Sequence, residues 1–241
     1  MKITEQTIIG DLVASDYRTA SVFKKHGIDF CCSGNRTIAE ACDKKELEAS
    51  FLVQTLAAVA TQNEVSTTDY NTWPLDLLAD YVEKKHHRYV KEKIVEIIPY
   101  LTKVARVHGE RHPELAEVLD LFRGCAEEMT SHMEKEEQIL FPFVRNMIMG
   151  NFDQQSFGTV QNPISVMMNE HTAEGERFRR ISALTNEYTA PDDACNTYRV
   201  TYALLKEFED DLQLHIHLEN NILFPKAVKM EQKNNAKTAI A

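Results

Sequence analysis

The sequence predicts an all-α protein, an up-down four-helix bundle preceded by a small helical N-terminal domain. Three observations lead there: only eight glycines and seven prolines occur in 241 residues, long segments repeat apolar residues at intervals of three and four, and β-branched alternation is nearly absent. A hydrophobic share of 43% is enough for a packed core at this length without help from disulfides.

Residues 1–60 read as four short helices, Thr7 to Ala14, Tyr17 to His26, Thr37 to Cys42 and Glu46 to Ala60, the second stopped by Gly27. Between the second and third lies an irregular segment, Gly27-Ile28-Asp29-Phe30-Cys31-Cys32-Ser33-Gly34-Asn35. Residues 61–71 are polar and aperiodic, and are expected to form a linker. The bundle then occupies residues 72–230, with helices over Pro74 to His108, Pro113 to Met149, Pro163 to Tyr188 and Asp192 to Lys229. Pro99 is expected to kink the first, because proline lacks the N–H and crowds the preceding turn. Short connections between long helices favour antiparallel neighbours, and residues 231–241 are left as a polar tail.

Net charge is −10, and the basic residues are interleaved with acids, so a phosphate-binding stripe and a nucleic-acid partner are not expected. No stretch approaches the roughly 18 uninterrupted apolar residues of a membrane span, and the N-terminus lacks an apolar leader core, so the expected place is the cytoplasm. Five cysteines, two of them adjacent, do not form the even framework of a secreted fold.

The chemistry sits in a repeat. His132-Met-Glu-Lys-Glu136-Glu-Gln-Ile-Leu140-Phe141-Pro142 and His215-Ile-His-Leu-Glu219-Asn-Asn-Ile-Leu223-Phe224-Pro225 both read H-x-x-x-E-x-x-x-L-F-P, 83 residues apart. A spacing of four on a helix puts an imidazole and a carboxylate on one face, about 6 Å apart along the axis. His87 lies 45 residues before His132, and His171 lies 44 before His215, so the pattern reads as a duplicated helical hairpin. A lone His-x-x-x-Glu pair is more often a surface pair than a metal site; the duplication with matched partner histidines reverses that reading. Four imidazoles and two carboxylates exceed the four ligands of a closed zinc site and suit two metals bridged by glutamate. Iron, manganese and zinc all accept such ligands, and a paired iron centre is the commonest use in helix bundles.

In the first helix, periodicity leaves His86 and His87 both open: Leu75, Leu78 and Val82 align better with His86, while Val90, Ile94, Ile98 and Leu101 fit either. His217 should point away from the centre, about 200° round from His215. His26 and His108 each precede a helix-ending glycine and read as caps, and His112 reads as a loop residue. A ferritin-like oxidase would show Glu-x-x-His on two helices, whereas Glu83-x-x-His86 is the single case among the candidate ligand helices. Cys125 and Cys195 read as buried structural cysteines. Cys31 and Cys32 fit a mutual disulfide badly, since adjacent Cα atoms are only about 3.8 Å apart. In a Gly-bounded loop, at least one of these thiols should be accessible, and it would react if a neighbouring helix start lowered its pKa.

With these residues in place the sequence resembles the repair-of-iron-centres family: hemerythrin-like di-iron proteins with a ScdA-type N-terminal domain, implicated in restoring iron–sulfur clusters damaged by nitrosative and oxidative stress. The two H-x-x-x-E-x-x-x-L-F-P helices, Asn169-Glu170-His171, and the register set by Glu92 and Thr102-Lys103-Val104 carry the resemblance, together with the Cys31-Cys32 loop. It implies His87, His132, Glu136, His171, His215 and Glu219 as ligands of two oxo-bridged non-haem irons. It also implies damaged iron–sulfur proteins as partners, nitric oxide or oxygen as small ligands, and a thiol role for Cys31 and Cys32 beside iron donation. A homodimer is compatible with it. Nitric oxide reduction at the same centre is the alternative activity, and gas carriage or sensing a third. Two carboxylates where an oxygen-carrying hemerythrin uses more histidine favour higher metal oxidation states and weigh against carriage.

Overall fold

The computed structural model describes residues 2–61, 68–152 and 156–238. Residues 62–67 of the expected linker, 153–155 of the loop between the bundle halves and 239–241 of the tail lie outside the described residues. Among the described residues there is no strand, only an isolated antiparallel bridge between Ile8 and Thr37. Residues group into two compact units, Ala79–His215 and Met1–Leu78 with Ile216–Ala241.

The unit Ala79–His215 holds the four long helices. The first comprises the end of α5 (Leu75–Tyr81), a π turn over Val82–His87, and α6 (Arg88–His108). The second is α7 (Glu114–Lys135), a π turn over Glu136–Leu140, and α8 (Phe141–Ile148). The third is α9 (Gln161–Leu184), and the fourth is α10 (Asn196–Leu218) as far as His215. Glu114 and Glu117 in the first turn of α7 complement its dipole. Val90, Ile97, Leu101 and Val104 form the buried stripe of α6, at helical spacing. Phe208 of α10 meets Phe122 of α7 edge-on at 5.2 Å and Phe178 of α9 stacked at 5.6 Å, so one ring joins three helices. Each such ring, fully buried, contributes about 1.5–3 kcal/mol.

Pro99 lies inside α6, which continues through it. The third helix ends earlier than its sequence suggests. Asn186, Glu187 and Tyr188 all take left-handed φ values of 47°, 55° and 61°, and the Tyr188 N–H donates to Thr185 Oγ1 at 3.1 Å. Three consecutive left-handed residues cannot continue a right-handed helix.

In the other unit, α1 (Ile9–Ser15), α2 (Thr19–Lys25), α3 (Ile38–Asp43) and α4 (Ala49–Thr61) bury Ile9, Leu12, Phe23, Ile38, Leu52 and Leu56. Gly27 ends α2 with φ +62°, and Thr37 and Glu40 form a capping box on α3. The fourth bundle helix continues past His215 through a third π turn, Glu219–Leu223, into α11 (Phe224–Thr238). Residues 231–238, expected as a tail, are thus helical. No proline or glycine follows Pro225 to end the helix. The grouping of the helix from Ile216 onward with the N-terminal residues has clear bonds behind it, made by Asn220, Asn221 and Lys226. Asn220 Nδ2 donates to the Cys31 carbonyl at 3.2 Å, Asn221 Nδ2 to Phe30 and Cys31 at 3.2 and 3.3 Å, and Lys226 Nζ to Asn71 and Trp73 at 2.7 and 2.8 Å.

Candidate metal centre

Three of the four candidate ligand helices carry their site residues at a π turn. Two of these turns begin at the glutamates of the repeat: the Phe141 N–H reaches back five residues to the Glu136 carbonyl, and the Phe224 N–H to that of Glu219. The repeated Pro142 and Pro225 explain their place, because a proline ring crowds the carbonyl four residues earlier and a wider turn relieves it.

His87, His132, Glu136, His171, His215 and Glu219 are all buried, between 0% and 1% exposed. Within the unit Ala79–His215, ligand atoms of His87, Glu136 and His215 lie within 4.8 Å of one another, and so do those of His132, Glu136 and His171. Glu136 is common to both triads, and its Oε2 stands 3.3 Å from His87 Nε2 and 3.3 Å from His132 Nε2. His132 Nε2 and His171 Nε2 face each other at 3.0 Å. Glu219 follows His215 by one turn of the same continuous helix.

The outer nitrogens settle the tautomers. His87 Nδ1 is 2.8 Å from Glu137 Oε1, and His132 Nδ1 is 2.8 Å from Glu170 Oε2. An ionised carboxylate only accepts, so each Nδ1 carries the proton, and in the neutral ring each Nε2 then turns a lone pair inward, the state a metal ligand requires. Lys91 donates to Glu137 at 2.8 and 3.0 Å, and Lys135 pairs with Glu170. Burial raises the Glu137 pKa, but the bonds from Lys91 and His87 outweigh it and hold the group below its ordinary value. Glu170 is held at about 2, chiefly by His132 against the opposing effect of burial, with Lys135 adding to it. Two imidazole lone pairs and a carboxylate, buried together, fit a bound cation and would repel one another around none. The donor set therefore suits the two-metal centre.

Sequence reasoning missed Glu137 and Glu170 as orienting residues. Their signal was adjacency to the candidate ligands Glu136 and His171, which reads equally well as solvated charge. His86 is as buried as His87, but its Nδ1 donates to Asp211 at 3.0 and 3.1 Å and its ring stacks on His215 at 5.6 Å. Glu83 pairs with Arg145, so Glu83 and His86 form no ferritin-like pair. His217 turns to Tyr17 and Phe30, with ring centroids at 5.9 and 6.0 Å, and burial lowers its pKa to about 3. His108 is buried with Nε2 3.3 Å from Cys195 Sγ, a fuller role than a helix cap. Cys125 is buried as expected, but Cys195 is exposed because α10 begins only at Asn196.

At the paired cysteines, Cys31 is buried and Cys32 half-buried, with their sulfurs 3.7 Å apart and not joined in a disulfide. The condition for a reactive thiol, a lowered pKa, is not met at Cys31. Its hydrogen bond with Cys32, burial, and the nearby Asp29 push it well above the ordinary value.

Residues 79–227 match the hemerythrin HHE cation binding domain, and residues 5–60 match ScdA_N, a domain of unknown function. The chain is 38% identical over 223 residues to the iron-sulfur cluster repair protein YtfE of Yersinia pestis (strain Pestoides F), covering 92% of this chain and 97% of the relative. It is 37% identical over the same length to the protein of that name from Yersinia pseudotuberculosis serotype IB (strain PB1/+). With a bundle matched to the cation-binding domain, an N-terminal domain of the ScdA type and a relative alike over nearly its whole length, the chain belongs to the hemerythrin HHE family, in the branch of the iron–sulfur cluster repair proteins.

Proposed function

We propose that this protein repairs iron–sulfur clusters damaged by nitrosative or oxidative stress, by holding two irons in the bundle and donating iron to the damaged cluster. The observation that carries the reading is Glu136, one buried carboxylate oxygen equidistant from two imidazole nitrogens, each oriented by its own acid. His87, Glu136 and His215 would hold one iron and His132, Glu136 and His171 the other. Glu219, the counterpart of Glu136 in the repeat, would be the second bridging carboxylate. Iron so held supplies Lewis-acid and one-electron chemistry. The protein's part is to fix the inward Nε2 tautomers through Glu137 and Glu170 and to keep the donors dry in a buried site. The names of the relatives support the repair role, and the cytoplasm is the compartment proposed for it.

Two triads sharing one carboxylate could also hold two diatomic molecules side by side, which favours nitric oxide reduction as the second reading. One anaerobic experiment separates them. The iron-loaded protein is mixed with a partner whose cluster has been destroyed, and the partner's cluster absorption and the iron left on each protein are followed. Recovery of the cluster with matching loss of iron from this chain is expected. Nitrous oxide release on adding nitric oxide, without cluster recovery, would replace donation by the reductase reading.

A further inference from the structure

We propose that Asp29, Cys31 and Cys32 form a separate site for one thiophilic divalent cation of the zinc or cobalt type, with an open fourth position for water. The inference is independent of what the bundle does. One ligand atom from each of the three residues lies within 4.8 Å of the others. With metal–sulfur distances of about 2.3 Å and metal–oxygen of about 2.0 Å, the 3.7 Å between the sulfurs and the 3.4 Å from Cys31 Sγ to Asp29 Oδ1 subtend about 107° and about 104° at a common ion. Both are close to tetrahedral, so these two pairs already stand at the spacing of ligands on a common ion. Three protein ligands with one open position is the arrangement of an exchangeable site, and two thiolates select a softer cation than the imidazole and carboxylate set of the bundle.

The loop is also held rigid around these residues. The N–H groups of Cys31 and Cys32 donate to Asp29 Oδ1 at 3.1 and 2.9 Å and fix the carboxylate beside the thiols. The Asn220 and Asn221 carboxamides clamp the Phe30 and Cys31 carbonyls. Gly10 N–H donates to the Gly34 carbonyl at 2.7 Å, and a Cβ on Gly34 would stand 3.1 Å from Gly10 Cα and 2.4 Å from the Phe30 carbonyl oxygen. Such preorganisation lowers the ordering cost of binding. The ordinary alternative is a turn in which the Cys31 thiol bonds to Cys32 and to Asp29 and no metal is held. Binding would release the two thiol protons to solvent as the sulfurs become ligands.

The test uses the full-length, iron-loaded protein with its thiols reduced, titrated anaerobically with Co2+. About one further equivalent should bind, giving sulfur-to-cobalt charge-transfer absorption and the intense visible bands of tetrahedral cobalt. Cys125→Ser should behave as wild type. The Cys31→Ser/Cys32→Ser variant should keep its iron content and lose the sulfur bands, and Asp29→Asn should weaken cobalt binding about tenfold or more. Cobalt entering the bundle would show no sulfur band, and the iron content is read separately, so loss of the di-iron reading would be told apart. Absence of sulfur bands in the reduced wild type, or their persistence in the double serine variant, overturns the proposal.

Discussion

Glu137 and Glu170 do for His87 and His132 what no amount of histidine can do alone: each settles which ring nitrogen faces inward. Glu137→Gln or Glu170→Gln should therefore lower iron affinity about 10- to 100-fold while leaving helix content unchanged, read by competition with a chelator. Iron retention equal to wild type in both variants would show that the inward tautomer is set elsewhere. Deeper in the bundle, Glu174 is 1% exposed, and burial raises its pKa above the usual 4.5 despite Arg177 Nε at 3.1 Å. A carboxyl raised in the folded state binds a proton that the unfolded chain has lost, so its contribution to stability falls as pH rises from 4.5 through the raised value. Glu174→Gln removes this titration. Its thermal midpoint should overtake wild type toward pH 8, with about 1.4 kcal/mol gained for each unit of the shift. Midpoint curves that stay parallel from pH 4 to 8 would mean that Glu174 does not titrate in this way.

At the scale of elements, the π turns explain both what the sequence disclosed and what it concealed. The repeat was legible because ligand spacing, Leu-Phe-Pro and the long amphipathic runs are all periodic, and the first two long helices fell close to their expected spans. The choice between His86 and His87 was not, because a π turn spans Val82–His87. A wide turn shifts helical register, so the stripe before it favours His86 while the stripe after it fits either histidine. The two acids that orient the rings were illegible for another reason: a partner across 50 residues, as for His87 and Glu137, leaves no local pattern. Pro142→Ala tests the link between proline and turn. With the ring gone, an ordinary α turn competes with the wide one over Glu136–Leu140, so the metal-free protein should gain up to about 3 kcal/mol, and iron retention should fall several-fold. Unchanged iron content beside a raised thermal midpoint would separate the wide turn from metal binding.

For the whole molecule, the described residues from Ile216 onward group with the N-terminal helices rather than with Ala79–His215. A protein beginning at Thr72 should still bind two irons, because the triads lie within Ala79–His215. It should nevertheless lose stability. The Asn220 and Asn221 carboxamides lose the carbonyls of Phe30 and Cys31, at about 1 kcal/mol for each of the three bonds, and the apolar burial of α1 to α4 goes with them. Thermal unfolding and iron analysis on the same sample decide it; loss of iron with the helices still folded would place a ligand function in the first 71 residues.

The two copies of the repeat agree at every candidate ligand and diverge just after the glutamate. Glu137 in the first turns to an imidazole, while Asn220 and Asn221 in the second reach the backbone of the cysteine loop. The five-residue turn Glu219–Leu223 thus has two tasks, since it begins with a buried carboxylate and grips the carbonyls beside Cys31 through its next two residues. It acts as a lever with a short arm. The carbonyls of Phe30 and Cys31 are thus bonded to the two residues that follow Glu219, so a change in the thiol loop is expected to be felt first in the turn where that carboxylate sits.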